Sequence, residues 1–150
     1  MNGLKHAQSF RDLLVYHKAR QLQQEVFLIS REFPKEEKFS LSDQIRRSSR
    51  SVGANIAEAW GKRRYEAHFI SKLTDADGEQ YETQHWIETA MECGYLDQQK
   101  GLALLEEFKQ VGRLLGGMMS KADLFCGKPY KEIREEGIEY IIQQRTVNSQ

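Results

Sequence analysis

The side chains in this 150-residue sequence that could carry chemistry are four histidines, two cysteines and a set of clustered cations. Helical bundles build di-metal centres from a Glu-x-x-His on each of two helices plus one glutamate from each of the others. Glu82-Thr83-Gln84-His85 supplies one such pair. The second is missing, because His6, His17 and His68 have no glutamate three residues before them. A single Glu-x-x-His arises easily by chance in a glutamate-rich helix, so His85 reads as a surface or interface residue. No metal site and no cofactor are expected. Cys93 precedes Gly94 and Cys126 precedes Gly127. Both fall near helix C-termini, where the dipole disfavours a thiolate. They read as small packing residues, and without CxxC spacing they indicate neither a disulfide framework nor a zinc site. No Gly-x-x-x-x-Gly-Lys-[Ser/Thr] phosphate loop or Gly-x-Ser-x-Gly elbow occurs. No catalytic residue is assigned.

The remaining chemistry is electrostatic. Lys+Arg and Asp+Glu both total 22, so the formal charge is zero, but the charge is segregated. Residues 35–64 hold eight Lys/Arg against four Asp/Glu, whereas residues 65–110 hold three against ten. One reading is pairing between neighbouring helices plus ordinary solvation. The other is a basic surface holding RNA or single-stranded DNA through Arg46, Arg50, Lys62, Arg63 and Arg64. Phosphate contacts of that kind give affinity without sequence information. The second reading gains if a symmetric assembly repeats the cations around an axis. Trp60 and Tyr65 flank the cluster and, with Tyr16 and Trp86, could stack bases. Their helical spacing equally suits core or subunit interface.

A second pattern lies within the basic segment. Gln44, Arg47, Ser51, Asn55 and Glu58 follow steps of 3, 4, 4 and 3, which places them on one helical face beside the apolar seam. The stripe either faces solvent or forms a buried network in which each polar group needs a partner. In the second case Arg47 would reach Glu79 or Glu82, and the stripe would be architectural, fixing register between helices.

Helices must position these residues. Val15, Ala19, Leu22, Val26, Ile29 and Phe33 form the first seam, with Ser9 and Asp12 spaced as a capping box and helix expected nearer Leu13. Phe33-Pro34 closes it, since the residue before proline is pushed out of the α region. Leu41, Ile45, Ser48, Val52, Ile56 and Ala59 form the second seam, capped by Ser40 or Ser42 and ended by Gly61 and the cations after it. The third seam is Phe69, Leu73, Ala76, Gln80, Thr83, Ile87 and Ala90, with Gly94 as a left-handed C-cap. Asp97 caps the fourth, whose seam runs Leu104, Phe108, Val111, Leu115, Met118, Ala122 and Phe125. Gly116-Gly117 inside it predicts close packing or a kink. After Pro129 an amphipathic stretch with Ile133, Ile138, Ile141 and Ile142 reads as a docked or partner-binding helix.

Hydrophobic residues make up 39% of the chain, enough for one core at this length. No apolar run approaches the roughly 20 residues needed to span a bilayer, and the N-terminus lacks the apolar core of a signal peptide. The expectation is a cytoplasmic, all-α, antiparallel up-down four-helix bundle over residues 1–126, followed by an extension over 127–150.

The run from Gln44-Ile45-Arg46-Arg47 through Ser51-Val52-Gly53-Ala54-Asn55-Ile56-Ala57-Glu58 resembles the signature of a bacterial four-helix-bundle family, the S23 family. Its members are often encoded in intervening sequences of 23S ribosomal RNA genes. Phe10-Arg11-Asp12-Leu13, Phe33-Pro34-Lys35-Glu36-Glu37, Glu82-Thr83-Gln84 and Gly94-Tyr95-Leu96 fit it in order and spacing over about residues 10–125. Gly53 stands where proline is common, and Ala59 where glycine is common. The resemblance implies a left-handed up-down bundle that assembles as a ring-shaped homopentamer. The chain is also similar to accessory proteins of diversity-generating retroelements, basic pentamers that bind nucleic acid with a reverse transcriptase. Neither catalysis nor a cofactor comes with the resemblance. The expected function is therefore an oligomeric, nucleic-acid-binding bundle. An accessory role beside a reverse transcriptase is a narrower version of that reading, and the alternative is a protein-binding scaffold that recruits a partner through its acidic third helix and isoleucine-rich C-terminal segment.

Overall fold

The computed structural model describes residues 7–126, all helix and connecting turns. Four long helices, α1 (Leu14–Ser30), α2 (Asp43–Gly61), α3 (Glu66–Glu92) and α4 (Gln98–Ser120), precede a short α5 (Ala122–Cys126). Helices α1 and α2, α2 and α3, α3 and α4, and α1 and α4 pack together, which closes an antiparallel bundle. The expected extension over 127–150, with its amphipathic helix, lies outside the described residues.

The second and third seams are buried at every position, Ser48, Gln80 and Thr83 included. Ser48 and Thr83 share a hydrogen bond of 2.8 Å, so the polar step in the second seam meets a polar step in the third. Gln80 donates to Asp77 (2.9 Å) and accepts from Gln84 (2.7 Å), which satisfies it on its own helix. The first seam departs at one position. Ser30 is buried, facing Arg46 of α2, and Ile29 is only half-buried.

Helix ends follow local chemistry more closely than the seams predict. Ser9 accepts from Arg11 N–H and Asp12 from Gln8 N–H, but the pair caps a 3-10 turn at Phe10–Asp12, and α1 starts only after Leu13. Neither Ser40 nor Ser42 caps α2. The chain enters it through a 3-10 turn (Lys35–Glu37) and a π-helical turn (Lys38–Ser42), where Ser42 is already helical and Ser40 donates to Glu37. Gly94 has φ +79° and closes α3 as expected. Tyr95 N–H reaches Ala90 C=O and Gly94 N–H reaches Met91 C=O, the two bonds of a Schellman motif. Asp97 accepts from the Gln99 and Lys100 N–H groups and caps α4.

Two expectations for α4 need correction. The seam does not run on one helix to Phe125. Lys121 breaks it at φ −117°, ψ 34°, and α5 docks separately on α3, its Phe125 ring stacked on Phe69 at 5.8 Å. Nothing approaches Gly116 or Gly117, and the helix runs through both. The close approaches fall at Gly101, against Met91, and at Gly112, against Gln80 and Asp77.

Candidate nucleic-acid interface

Successive residues of a helix differ by about 100° in azimuth, and this places the cations of α2 in two different surroundings. Arg47 turns towards α3. Its guanidinium donates to Glu82 (2.8 Å) and Glu79 (3.2 Å), and one turn on it reaches Ser51 Oγ at 3.5 Å. Glu58 continues the same edge by pairing with Lys72 at 2.8 Å, and Lys72 also reaches Asp75 at 3.4 Å. Asn55 donates to the Ser51 carbonyl, and Gln44 to that of Phe39. The polar stripe is therefore neither a buried network nor a free solvent face. It is a half-exposed ladder along the α2–α3 edge. Its carboxylates carry the electrostatic signature of pairing. Glu82 is held below the usual carboxylate range, first by the Trp86 N–H and then by Arg47, and Glu58 is lowered by Lys72.

Arg46, one residue earlier, turns the other way, over α1. Its Nε donates to Ser30 Oγ at 2.6 Å, and Ser30 in turn donates to the Phe27 carbonyl. The Arg46 guanidinium lies 5.0 Å from the Phe27 ring centroid, Arg50 lies 5.5 Å from it and Arg31 5.8 Å. Three guanidiniums thus converge on one aromatic ring. Each gains from the negative face of the ring. Among the described residues no carboxylate comes within ion-pair distance of any of the three. An open groove on the outer side of α2, lined by Asp43, Arg46, Arg47, Arg50, Ser51 and Ala54, runs past Arg46 and Arg50.

Lys62, Arg63 and Arg64 do not join this cluster. They follow the C-terminus of α2, about 17 Å along the axis from Arg50 at 1.5 Å per residue. Arg63 is engaged locally, its guanidinium 3.7 Å from the Trp60 ring and its Nε donating to the Trp60 carbonyl. Arg64 lies 5.8 Å from the exposed Tyr65 ring. The other aromatics singled out from the sequence are occupied. Tyr16 packs edge-on against Phe10, and Trp86 donates to Glu82.

Sequence reasoning did not include Phe27 and Arg31. Their spacing of four on α1 puts them on one face, but only the packing of α1 against α2 brings Arg46 and Arg50 to the same ring. His85 is exposed with its ring against Trp86, and among the described residues no group of three metal-ligating side chains gathers. Cys126 is buried, which pushes its thiol up to about 11, while Cys93 is exposed. No described helix is long and apolar enough to cross a membrane.

The fold and this surface define a four-helix-bundle protein with one ion-paired helix edge and one arginine face without a carboxylate partner among the described residues. The sequence profile of the 23S rRNA-intervening sequence protein family matches residues 11–117, and the chain belongs to that family. It is also similar to the crystal structure of a protein of unknown function from the S23 ribosomal protein family of Bacteroides thetaiotaomicron VPI-5482. That likeness has 29% identity and a TM-score of 0.65, covering 71% of this chain and 96% of the other. No functionally curated protein matches.

Proposed function

We propose that this chain is a non-enzymatic, homo-oligomeric, cytoplasmic bundle that holds RNA or single-stranded DNA on its α1–α2 face. The observation that carries the reading is the convergence of Arg31, Arg46 and Arg50 on Phe27 without a carboxylate partner among the described residues. Cations serving only to tie helices together would be matched as Arg47 is. An anchored, unmatched guanidinium is suited to phosphate, because its geometry is set before the ligand arrives. Lys62, Arg63 and Arg64 supply a second basic patch in the turn that follows the C-terminus of α2. A symmetric ring, a pentamer in the reading the sequence resemblance implies, would repeat both patches and raise the local potential well above that of one neutral subunit. The family description and that of the structural relative refer to ribosomal RNA and to ribosomal proteins, which supports RNA as the first probe. An accessory role beside a reverse transcriptase is a narrower form of the same reading, and a neighbouring reverse-transcriptase gene would support it.

The competing reading is a protein-binding scaffold. Exposed Leu124 and Tyr81 favour it. The acidic third helix favours it as well, since Arg47 and Lys72 are shared among Asp75, Glu79, Glu82 and Glu58 and leave the edge net negative.

Binding of labelled RNA and single-stranded DNA across a salt series tests the proposal, with Arg46→Glu/Arg50→Glu as the control. The expected result is a steep negative slope of log affinity against log salt for the natural chain. The variant, still folded and equally oligomeric, should lose most of the affinity, its slope shallower by roughly 0.7 for each lost phosphate contact on a single strand. Absence of binding at low salt would refute the reading and direct the search to protein partners.

A further inference from the structure

The arginine face has an aromatic neighbour that the bundle does not use. The π-helical turn Lys38–Ser42 buries Leu41 and Ser42 and thereby turns Phe39 outward, where the residue is 73% exposed. A lone exposed apolar side chain is ordinary on a protein surface. What distinguishes Phe39 is its surroundings. Lys38 Nζ lies 4.9 Å from the Phe39 ring centroid and 3.9 Å from Asp43 Oδ2, and Asp43 is the first residue lining the groove that runs past Arg46 and Arg50. The ring is thus linked through the Lys38 ammonium to the Asp43 end of the groove, with a cation beside it. Lys38 also partly offsets the one carboxylate in the groove lining.

Resting on the reading given under Proposed function, we infer that the ligand class is single-stranded nucleic acid with unpaired bases, and that Phe39 is the platform on which one base stacks. Duplexes present phosphates to the same arginines but keep their bases stacked inside, so they cannot use the ring. Single strands use both, phosphates on Arg46 and Arg50 and a base face on Phe39. A flat ring accepts any base, so the site gains strand selectivity without sequence selectivity.

Phe39→Ala separates this inference from the reading beneath it. Fluorescence anisotropy would be measured with a labelled unstructured RNA oligonucleotide, its DNA counterpart and the matching blunt duplex, on the full chain at fixed oligomeric state. The natural chain should prefer the single strands at matched salt. Phe39→Ala should weaken single-strand binding by about 5- to 150-fold, with duplex binding and the salt slope unchanged. Phe39→Trp should keep the affinity, and its indole emission should be quenched on addition of the oligonucleotide. Equal losses on single strand and duplex, no loss at all, or dissociation of the oligomer by Phe39→Ala would overturn the assignment. Dissociation would place the ring in a subunit contact instead. If Phe39→Ala is silent while Arg46→Glu/Arg50→Glu abolishes binding, the inference fails and the electrostatic reading stands. If neither variant matters, both fail.

Discussion

At the level of single residues, the position of a charge on its helix decides its role. Arg46 and Arg47 are neighbours with the same chemistry, yet one lies over Phe27 and the other is paired with two glutamates. Replacing Arg47 with methionine should cost about 0.5–1 kcal/mol, the scale of half-exposed ion pairs, measured by urea unfolding and isolated by a double-mutant cycle with Glu82→Gln. The pH dependence follows from the lowered Glu58 and Glu82. Both stay ionised in the fold at pH values where the unfolded chain has begun to take up protons. Their contribution is therefore complete above the ordinary carboxylate pKa of about 4.3 and is lost as pH falls through their lowered folded values. The natural chain should lose stability from about pH 5 downwards, and Glu82→Gln should lose less. The thiols give a separate check. Iodoacetamide at neutral pH should label exposed Cys93 and spare Cys126, whose thiol is buried and raised to about 11. Mass mapping of the labelled folded protein reads this directly.

At the level of elements, α4 shows what its glycines are for. Gly116 and Gly117 are exposed with nothing near them, so each costs helix propensity without a packing return. Gly116→Ala should stabilise by about 0.5–1 kcal/mol. Gly112 is the opposite case. A Cβ there would lie 2.8 Å from Gln80 Nε2 and 3.3 Å from Asp77 Oδ1, in a place where Gln80 is buried and hydrogen-bonded to Asp77. Gly112→Ala should destabilise by about 1–2 kcal/mol, since relieving the contact strands a buried amide. Thermal unfolding of the two variants, side by side, should show shifts of opposite sign. The seams of α2 and α3 are legible in the sequence because a 3.6-residue period read on a single helix needs no knowledge of its neighbours. The break at Lys121 is hidden from that method. Helix α5 docks on α3 with its own apolar residues, so the pattern continues although the helix does not.

For the whole molecule, zero net charge coexists with an ion-paired α2–α3 edge and an α1–α2 face whose arginines have no carboxylate partner among the described residues. A single subunit would be a weak polyelectrolyte binder. The proposed assembly would change that, because each added copy would bring another set of cations to the same ligand. Light scattering coupled to size exclusion should give a mass several times 17.5 kDa, five-fold for the proposed ring. A variant kept monomeric should retain its fold but bind RNA far more weakly than the assembly. A monomeric natural chain would remove this avidity from the proposal.

The sequence by itself determined the four helices, their buried faces, the Gly94 and Asp97 caps and the segregation of charge. All of these are written in spacings within one helix or in residue types at its ends. Only the tertiary structure decided which cations are paired. The pairing of Arg47 with Glu79 and Glu82 is legible in the sequence, but as part of a buried network rather than the half-exposed edge that the packing produces. The Arg31–Phe27–Arg46–Arg50 cluster is not, because it depends on the azimuth and offset of α1 against α2. Those are set by how whole side-chain ridges interlock, and no periodicity along one chain segment records how two segments face each other.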